Sequence, residues 1–288
     1  MRVVLTGASG QLGTYLVARL AEAGHVVIAW SGSVLGTVGG IPLHRVELTD
    51  PESVARALKD ADPEAVLHAA ALSTVDAARR DPARAQAVNV EATATLADWC
   101  GRRGRRFIYT STDLVFGGLR PWSREDDPAE PVLVYGRSKL DGEASALASG
   151  GLVARLSLLF GPSRSDLPTY LDRTFAALRR GVPQTFFEDE FRTPLDLSTA
   201  AGILTRLLVT DATGLLHVAG RERLSRFELV RRGAVALGLD PALVSANRQA
   251  DVPASEPRPA DVSLDTARLA ALLPDLERPT SDDVFRRW

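Results

Sequence analysis

The chain has 288 residues, enough for one large α/β domain with a smaller appended lobe. Its hydrophobic share of 45% and charged share of 24% are those of an ordinary folded protein and exclude a disordered chain. The formal net charge of −2 gives no basic field that would attract nucleic acid or an anionic membrane, and no apolar run approaches the roughly 20 residues that span a bilayer.

The first 155 residues alternate between short apolar runs and longer stretches of helical periodicity, a pattern typical of a parallel sheet covered on both faces. The first run leads directly into a glycine loop, without the basic and apolar regions of a secretory signal, so a cytoplasmic protein is expected. Strands are predicted over residues 2–5, 26–30, 44–46, 65–68, 106–110 and 152–155. Asp50-Pro51 predicts the start of one helix, and Pro82 that of another reaching to about Cys100.

The chain after Gly161 loses this alternation, and prolines and isolated helical stretches replace it. Helices are predicted over residues 169–180, 198–209 and 226–237, and the run 215–219 is predicted to return to the main sheet as a strand. We therefore expect an α/β fold, a Rossmann-type doubly wound parallel sheet with a smaller, mostly helical C-terminal lobe. Residues 1–160, with 195–220 returning to them, would form the sheet domain, and residues 161–194 and 221–288 the lobe.

The loop after the first strand reads Thr6-Gly7-Ala8-Ser9-Gly10-Gln11-Leu12-Gly13 and joins that strand to an amphipathic helix. Glycine allows positive φ in a tight turn and lets backbone N–H groups approach a pyrophosphate, while the helix N-terminus adds a partial positive charge. Three glycines could form a tight turn and nothing more, but between a strand and a helix they predict phosphate binding. No Lys-Ser/Thr pair follows them, which excludes a P-loop.

The second predicted strand ends in Trp30-Ser31-Gly32-Ser33, where proteins that prefer NAD carry an acidic residue for the ribose 2′-hydroxyl. Without that carboxylate a 2′-phosphate meets no repulsion, and the hydroxyl of Ser31 is able to donate to it, although no arginine stands in this stretch. The cofactor is therefore expected to be NADP or NAD, with NADP favoured.

A tyrosine and a lysine stand four residues apart in Tyr135-Gly136-Arg137-Ser138-Lys139, so on a helix they share one face. A nearby cation lowers the pKa of a phenol toward working pH, which makes tyrosine a usable acid or base. Such a pair is common on exposed helices and is weak evidence alone. The hydroxyls of Ser111 and Thr112 end a predicted strand, where they would face the ligand crevice of an open α/β sheet or serve only in a local turn.

Together these motifs resemble the extended short-chain dehydrogenase/reductase family, and within it the dTDP-4-dehydrorhamnose reductase group. The similarity covers nearly the whole chain. It includes Thr6 to Gly13, His68-Ala69-Ala70-Ala71, Val88-Asn89-Val90, Ser111-Thr112-Asp113-Leu114-Val115-Phe116, Pro121-Trp122, Tyr135-x-x-x-Lys139, Arg192-Thr193-Pro194 and Arg258-Pro259.

The resemblance implies a role for each matching residue. Tyr135 would give its proton to the substrate oxygen, Lys139 would hold the nicotinamide ribose and tune Tyr135, and Thr112, or else Ser111, would bind the reacting oxygen. The residues implied to contact the dinucleotide are Gly7, Ser9, Gly10, Gln11, Leu12 and Gly13 at the pyrophosphate, Glu47 and Leu48 at the adenine, and Ala69, Ala70 and Ala71 where the cofactor crosses the sheet. The sheet domain would then be NAD(P)-binding and the C-terminal lobe substrate-binding.

Two further residues are candidates for substrate contact. Trp122 would stack on a sugar or base, or pack within its loop. Arg192 would pair with a substrate phosphate, or form an ion pair between the two parts of the molecule. This chain has Leu114-Val115-Phe116-Gly117-Gly118 where the rhamnose reductases usually have Tyr-Val-Phe-Asp-Gly, so the motif supports the chemistry more firmly than the sugar.

We therefore expect a reductase or dehydrogenase acting on a nucleotide sugar or a comparable small carbonyl compound. The alternatives are a nucleotide-sugar epimerase or dehydratase that retains NAD, and a non-catalytic NAD(P)-binding regulatory subunit. The histidines His25, His44, His68 and His217 are scattered, so no metal site is expected. The single thiol, Cys100, is predicted to be buried. A homodimer is left open.

Overall fold

The computed structural model describes residues 1–165 and 167–288. Its centre is a parallel sheet with the strand order β4-β2-β1-β5-β6-β7-β12, extended at one edge by β3, which pairs antiparallel with β4. The strands of this sheet are β1 (Arg2–Thr6), β2 (Val26–Ser31), β3 (Thr37–Val38), β4 (Ile41–Arg45), β5 (Ala65–His68), β6 (Arg106–Thr112), β7 (Leu152–Leu156) and β12 (Gly214–Val218). The order reverses beside β1, as in a doubly wound Rossmann sheet, so the predicted fold class is confirmed.

Helices alternate with the strands of the main sheet and cover both of its faces, and further helices lie in the C-terminal part. They are α1 (Gln11–Glu22), α2 (Pro51–Ala61), α3 (Val75–Arg80), α4 (Pro82–Gln86), α5 (Ala92–Arg102), α6 (Val134–Ala148), α7 (Tyr170–Arg179), α8 (Leu197–Leu207), α9 (Arg226–Ala236), α10 (Ala267–Leu272) and α11 (Ser281–Phe285). The predicted N-cap at Asp50 is confirmed, because its side chain accepts a hydrogen bond from the Glu52 N–H at 3.0 Å.

Two of the sequence-based boundaries shift in the structure. The strand predicted over 44–46 is β4, which begins at Ile41 and ends at Arg45, and Pro42 within that run obscured its start. The helix predicted after Pro82 is divided by a π-helical turn over Ala87–Glu91, between α4 and α5. No periodicity in the sequence marks such a turn, because it adds a single residue to the repeat.

The sheet separates two apolar layers. On one face α1 and α8 pack against the strands, with Leu16 and Leu204 in the same cluster as Leu5. On the other face α2 and α5 do so, with Leu58 and Leu96 close to the strands. Burying each such leucine stabilises the fold by about 1.5–3 kcal/mol, so both faces fix the sheet that positions the site.

The C-terminal part adds a third apolar cluster built on α7, α9 and α11, in which Phe175, Phe285 and Trp288 contact one another. The predicted helices and the predicted returning strand, β12, are confirmed. Three short two-stranded sheets accompany the helices, formed by β8 (Leu159–Phe160) with β11 (Leu195–Asp196), β9 (Gln184–Phe187) with β14 (Val244–Asn247), and β10 (Phe191–Arg192) with β13 (Leu224–Ser225). Strands of two to four residues are too short to show alternation in a sequence.

Within the described residues, no helix is both long enough and apolar enough to cross a membrane.

Candidate active site

A cavity of about 650 Å³ lies at the carboxyl edge of the main sheet. It is the crevice in which open α/β sheets bind ligands. Of the residues proposed from the sequence, those that line it are Gly7, Ser9, Gly10, Gln11, Leu12, Gly13, Ser31, Glu47, Leu48, Ala69, Ala70, Ala71, Ser111, Thr112, Tyr135 and Lys139. Trp122 and Arg192 lie outside its lining.

The glycine loop is shaped for a phosphate. Gly7 has a φ of +70°, and a Cβ on Gly13 would lie 2.0 Å from the Gly7 carbonyl oxygen, so no side chain fits there. Gly10 is the N-cap residue of α1, and no side chain of the described chain caps that helix end. The first backbone N–H groups of α1 are therefore free to donate hydrogen bonds to an anion, and the loop fits the pyrophosphate of a dinucleotide.

Beneath this loop His68 is fully buried and joined to two threonines. Thr93 Oγ1 donates to the Asn89 carbonyl at 2.8 Å, so it accepts the bond from His68 Nε2 at 3.0 Å. His68 therefore carries its proton on Nε2, and Nδ1 accepts from the Thr6 hydroxyl at 2.7 Å. Burial lowers the pKa of His68 to about 3, which keeps the ring neutral.

The Thr6 hydroxyl also fixes the loop that follows β5. Its oxygen accepts hydrogen bonds from the N–H groups of Ala69 and Ala70 at 3.1 and 3.0 Å. The backbone of Ala70 approaches Gly7 so closely that a Cβ on Gly7 would lie 2.8 Å from its nitrogen. One buried hydroxyl thus holds the two loops that meet under the cavity.

The π-helical turn connects this network to α6. Asn89 accepts from the Leu72 N–H at 2.8 Å, and its amide donates to Ser138 Oγ at 2.9 Å. Ser138 donates in turn to the Tyr135 carbonyl at 2.8 Å. A continuous series of hydrogen bonds therefore runs from the end of β1 to α6, which carries Tyr135 and Lys139. This series fixes the position of α6 relative to the glycine loop. The sequence marked Asn89 only as part of a family motif.

Close packing also fixes α6. A Cβ on Gly136 would lie 2.1 Å from the Leu114 carbonyl oxygen, and one on Gly142 would lie 2.5 Å from the Asn89 carbonyl oxygen. These two glycines bring the helix backbone against the end of β6 on one side and the π-helical turn on the other.

Tyr135 is half-buried on α6 and lines the cavity. Burial raises the pKa of Tyr135 to about 12, with a further rise from the carboxylate of Asp113, while the Thr112 hydroxyl and the charge of Arg192 act in the opposite direction. The effect of burial on this pKa outweighs the charge of Arg192. The phenol is therefore protonated at neutral pH.

Lys139 is almost fully buried one helical turn further on, with Nζ 4.1 Å from the centre of the Tyr109 ring. Burial lowers the pKa of Lys139 to about 7, against the charge of Glu143, which raises it. Its ammonium is thus near the midpoint of its titration at neutral pH. A buried amine facing a cavity gains most from an acceptor that enters with a ligand.

Glu143 and Arg155 form a buried ion pair behind Lys139, with Arg155 Nη2 2.7 Å from Glu143 Oε2. Ser111 donates to the same carboxylate at 2.5 Å. The hydroxyl of Ser111 is therefore committed to Glu143. The Thr112 hydroxyl donates to Asp113 Oδ1 at 3.2 Å and accepts from the Leu114 N–H at 3.2 Å, and it also lies within hydrogen-bonding reach of the Tyr135 phenol, which favours Thr112 over Ser111 for contact with a substrate oxygen.

Arg192 belongs to a second buried group of charges. Its Nη1 lies 2.8 Å from Asp113 Oδ1 and its Nη2 lies 3.1 Å from Glu190 Oε1, which also pairs with Arg226 at 2.8 Å. Of the two readings left open by the sequence, the structure shows the ion pair between the end of β6 and the C-terminal part. Arg192 also lines a second cavity of about 300 Å³, beside the segment 253–259.

Trp122 does not reach either of these cavities. Trp122 is 43% exposed, its φ is +56°, and its backbone N–H donates to Ser263 Oγ at 2.8 Å. Its loop therefore packs against the segment around Ser263, and stacking of the ring on a ligand stays a prediction.

The first cavity is also lined by two arginines that the sequence did not single out, Arg45 at the end of β4 and Arg84 on α4. They lie at the same end as Ser31, whose hydroxyl donates to the Val34 carbonyl and so is already committed. The exposed Glu47 is bound by its neighbour Thr49, whose hydroxyl donates to Glu47 Oε1 at 2.7 Å.

Among residues 1–165 and 167–288 no group of three or more histidine, cysteine and acidic side chains is placed to hold a metal ion. Cys100 is buried, as predicted, and burial raises the pKa of its thiol to about 12.

A doubly wound sheet with a glycine loop after its first strand, and a cavity joining that loop to a tyrosine and a lysine one helical turn apart, defines an NAD(P)-dependent oxidoreductase of the short-chain dehydrogenase/reductase type. More narrowly, the chain belongs to the family described as the RmlD substrate binding domain, whose model matches residues 1–281. The resemblance drawn from the sequence motifs is thereby confirmed.

Two known proteins that are similar to this chain over more than nine-tenths of its length carry reductase names. It is 34% identical over 287 residues to a probable low-salt glycan biosynthesis reductase, Agl14, of Haloferax volcanii, covering 96% of this chain and 95% of the relative. It is 32% identical over 275 residues to a dTDP-4-dehydrorhamnose reductase of Mycolicibacterium smegmatis, covering 93% of this chain and 79% of the relative. Among solved structures, a hypothetical dTDP-4-dehydrorhamnose reductase of Sulfolobus tokodaii matches with a TM-score of 0.85 at 30% identity, covering 98% of each chain.

Proposed function

We propose that this protein reduces the keto group of a nucleotide-activated sugar, such as a dTDP-4-keto-6-deoxysugar, with NADPH or NADH. The observation that carries the proposal is that Thr112, Tyr135 and Lys139 line the same cavity as the glycine loop. The names of the relatives support a sugar nucleotide as the substrate class.

The bound nicotinamide dinucleotide would supply the hydride. Tyr135 would supply the proton, because a phenol with a pKa near 12 is fully protonated at neutral pH and is able to donate. The hydroxyl of Thr112 would hold the substrate oxygen beside it. Lys139 would bind the nicotinamide ribose, whose hydroxyls would offer its amine the hydrogen-bond acceptors that residues 1–165 and 167–288 do not supply.

Two parts of the chain would bind the two ligands. We assign residues 1–160 and 195–220 to the cofactor, because the main sheet and the glycine loop lie there. Residues 161–194 and 221–288 would bind the sugar nucleotide, entering by the second cavity, which Arg192, Arg226 and Arg258 line from the C-terminal side. Within the described chain Arg192 Nε is buried without a partner, which leaves it a donor to offer a ligand there.

The proposal is tested with Tyr135→Phe, which removes the phenolic hydroxyl and little else. Turnover of a dTDP-4-keto-6-deoxysugar should fall roughly 10²-fold or more, while NADPH affinity stays within about twofold. Tyr15→Phe is the matched control, because the Tyr15 hydroxyl bonds the Pro162 carbonyl and Arg164 and does not line the first cavity. Unchanged turnover in Tyr135→Phe would remove Tyr135 from the reaction.

The alternatives give different outcomes in the same assays. An epimerase or dehydratase would purify with tightly held NAD and turn over without added NADPH. A regulatory subunit would bind NADPH and show no turnover across a panel of carbonyl compounds and sugar nucleotides. Either result would overturn the proposed reductase.

A further inference from the structure

The lining of the first cavity includes two arginines, Arg45 and Arg84. Arg45, the last residue of β4, stands opposite Ser31, the last residue of β2, in the parallel pairing of these strands. Arg84 of α4 lines the same cavity, together with Gly32 and Ser33, which follow β2 directly. Arg45 therefore lies beside the end of β2, and both guanidinium groups are close enough to Glu47 to lower its pKa.

Neither arginine is committed elsewhere. Within residues 1–165 and 167–288 the two guanidinium groups have no ion pair and no hydrogen bond, although exposed arginines of neighbouring helices do. Arg56 lies 3.5 Å from Glu52, for example, and Arg102 lies 2.8 Å from Asp98. Two unpaired cations lining one cavity repel each other, and an anion that enters between them relieves that repulsion.

The nearest carboxylate leaves a surplus of positive charge. Glu47 accepts from both the hydroxyl and the N–H of Thr49, and these bonds hold the pKa of Glu47 below its usual range, helped by the charges of Arg84 and Arg45. One carboxylate, held at the start of the turn into α2, faces two cations. The remaining charge is available to a ligand.

The position in the fold identifies the ligand group. In dinucleotide-binding sheets an acidic residue near the end of the second strand binds the ribose 2′-hydroxyl, whereas an arginine nearby accommodates a 2′-phosphate. Here the residues after β2 are Gly32 and Ser33, and the arginine comes from the adjacent strand. A planar guanidinium matches a phosphate with two parallel hydrogen bonds.

We propose that Arg45, assisted by Arg84 and the Ser33 hydroxyl, binds the 2′-phosphate of NADP(H) and makes this protein prefer it to NAD(H). The inference rests on the dinucleotide site of the proposed function and adds the residues that choose between the two cofactors. The preference for NADP(H) would thus depend on Arg45 at the end of β4, and not on the residues after β2 alone.

The test measures binding and does not involve turnover. We expect wild-type protein to bind 2′,5′-ADP at least about tenfold more tightly than 5′-AMP, with each competed against NADPH fluorescence. Arg45→Ala should reduce that ratio by about tenfold and leave the affinity for 5′-AMP within about twofold. Arg84→Ala should reduce it less, and Arg56→Ala, an exposed arginine on α2 outside the cavity, should leave it unchanged.

Two results would overturn the inference. One is a wild-type protein that binds the two nucleotides equally, and the other is an Arg45→Ala variant that weakens both in parallel. Arg45→Gln serves if the alanine variant unfolds, and the wild-type ratio should also shrink as salt rises, because screening weakens an exposed contact with a doubly charged phosphate. A protein that discriminates the 2′-phosphate but reduces no keto sugar would keep this inference and overturn the proposed function.

Discussion

Two polar clusters lie buried beside the candidate active site, and they are built in opposite ways. The one under the glycine loop joins Thr6, His68 and Thr93 through hydrogen bonds between neutral groups. The one at the end of β6 joins Asp113, Arg192, Glu190 and Arg226 through ion pairs. Apart from Arg226, which is partly exposed, the residues of both clusters are buried, so the difference lies in their charge and in the parts of the chain that they connect.

The neutral cluster joins β1, β5 and α5, and each of its protons has one assigned acceptor, so it fixes geometry without carrying charge. The ionic cluster joins residues 79 positions apart in the chain, from the end of β6 to β10. Burial alone would raise the pKa of Glu190, yet the pKa is lowered because Arg226 and Arg192 outweigh that effect. The neutral cluster holds in place the loops beneath the cavity. The ionic cluster joins the C-terminal part to the sheet, and removing any one of its charged residues would leave another buried charge without its partner.

The largest effect should come from removing one member of the ionic cluster. Arg192→Met leaves Asp113 and Glu190 buried with a missing cation, so the free energy of unfolding should fall by about 3–5 kcal/mol in urea titrations. Arg102→Met, which breaks an exposed pair with Asp98, is the control and should cost less than about 1 kcal/mol.

A double variant sharpens that result. Asp113→Asn in the Arg192→Met background should cost less than the sum of the two single changes, because the neutral amide no longer needs the cation. Additive losses would show that the pair does not act as a unit.

An intermediate effect is expected for the neutral cluster. Thr6→Val keeps the shape of the side chain but leaves the N–H groups of Ala69 and Ala70 and the His68 ring without their partner, at a cost of about 1–3 kcal/mol. Thr205→Val, which loses one bond to the Ala201 carbonyl inside α8, is the matched control. Equal losses in the two variants would contradict the special position of Thr6.

A smaller effect should appear in acid. The pKa of His68 is about 3 in the folded protein and near 6.5 when unfolded, so the unfolded chain binds a proton first as pH falls. Stability from this residue is complete above about pH 6.5 and declines from there toward pH 3. His68→Gln should therefore make the loss between pH 7 and pH 5 smaller by about 1–2 kcal/mol, measured by urea unfolding at each pH. An unchanged slope would mean that His68 titrates normally.

The same contrast explains what the sequence was able to predict. The glycine loop and the Tyr135–Lys139 pair follow from local spacing, and the sheet follows from alternation along the chain, so all three were found. Arg45 was missed because its place beside Ser31 depends on the register between β2 and β4. Arg192 kept two interpretations because its partner, Asp113, is distant in sequence, and Ser111 was retained as an alternative because its bond to Glu143 is visible only in three dimensions.

The glycines at 136 and 142 set limits for anyone who wishes to alter the substrate range. Each abuts a backbone carbonyl, so a library randomised at either position would return almost nothing but the parent residue. These two positions are closed to engineering, whereas the 253–259 segment, which borders the second cavity and has exposed residues, offers a surface where new side chains are accommodated at little cost.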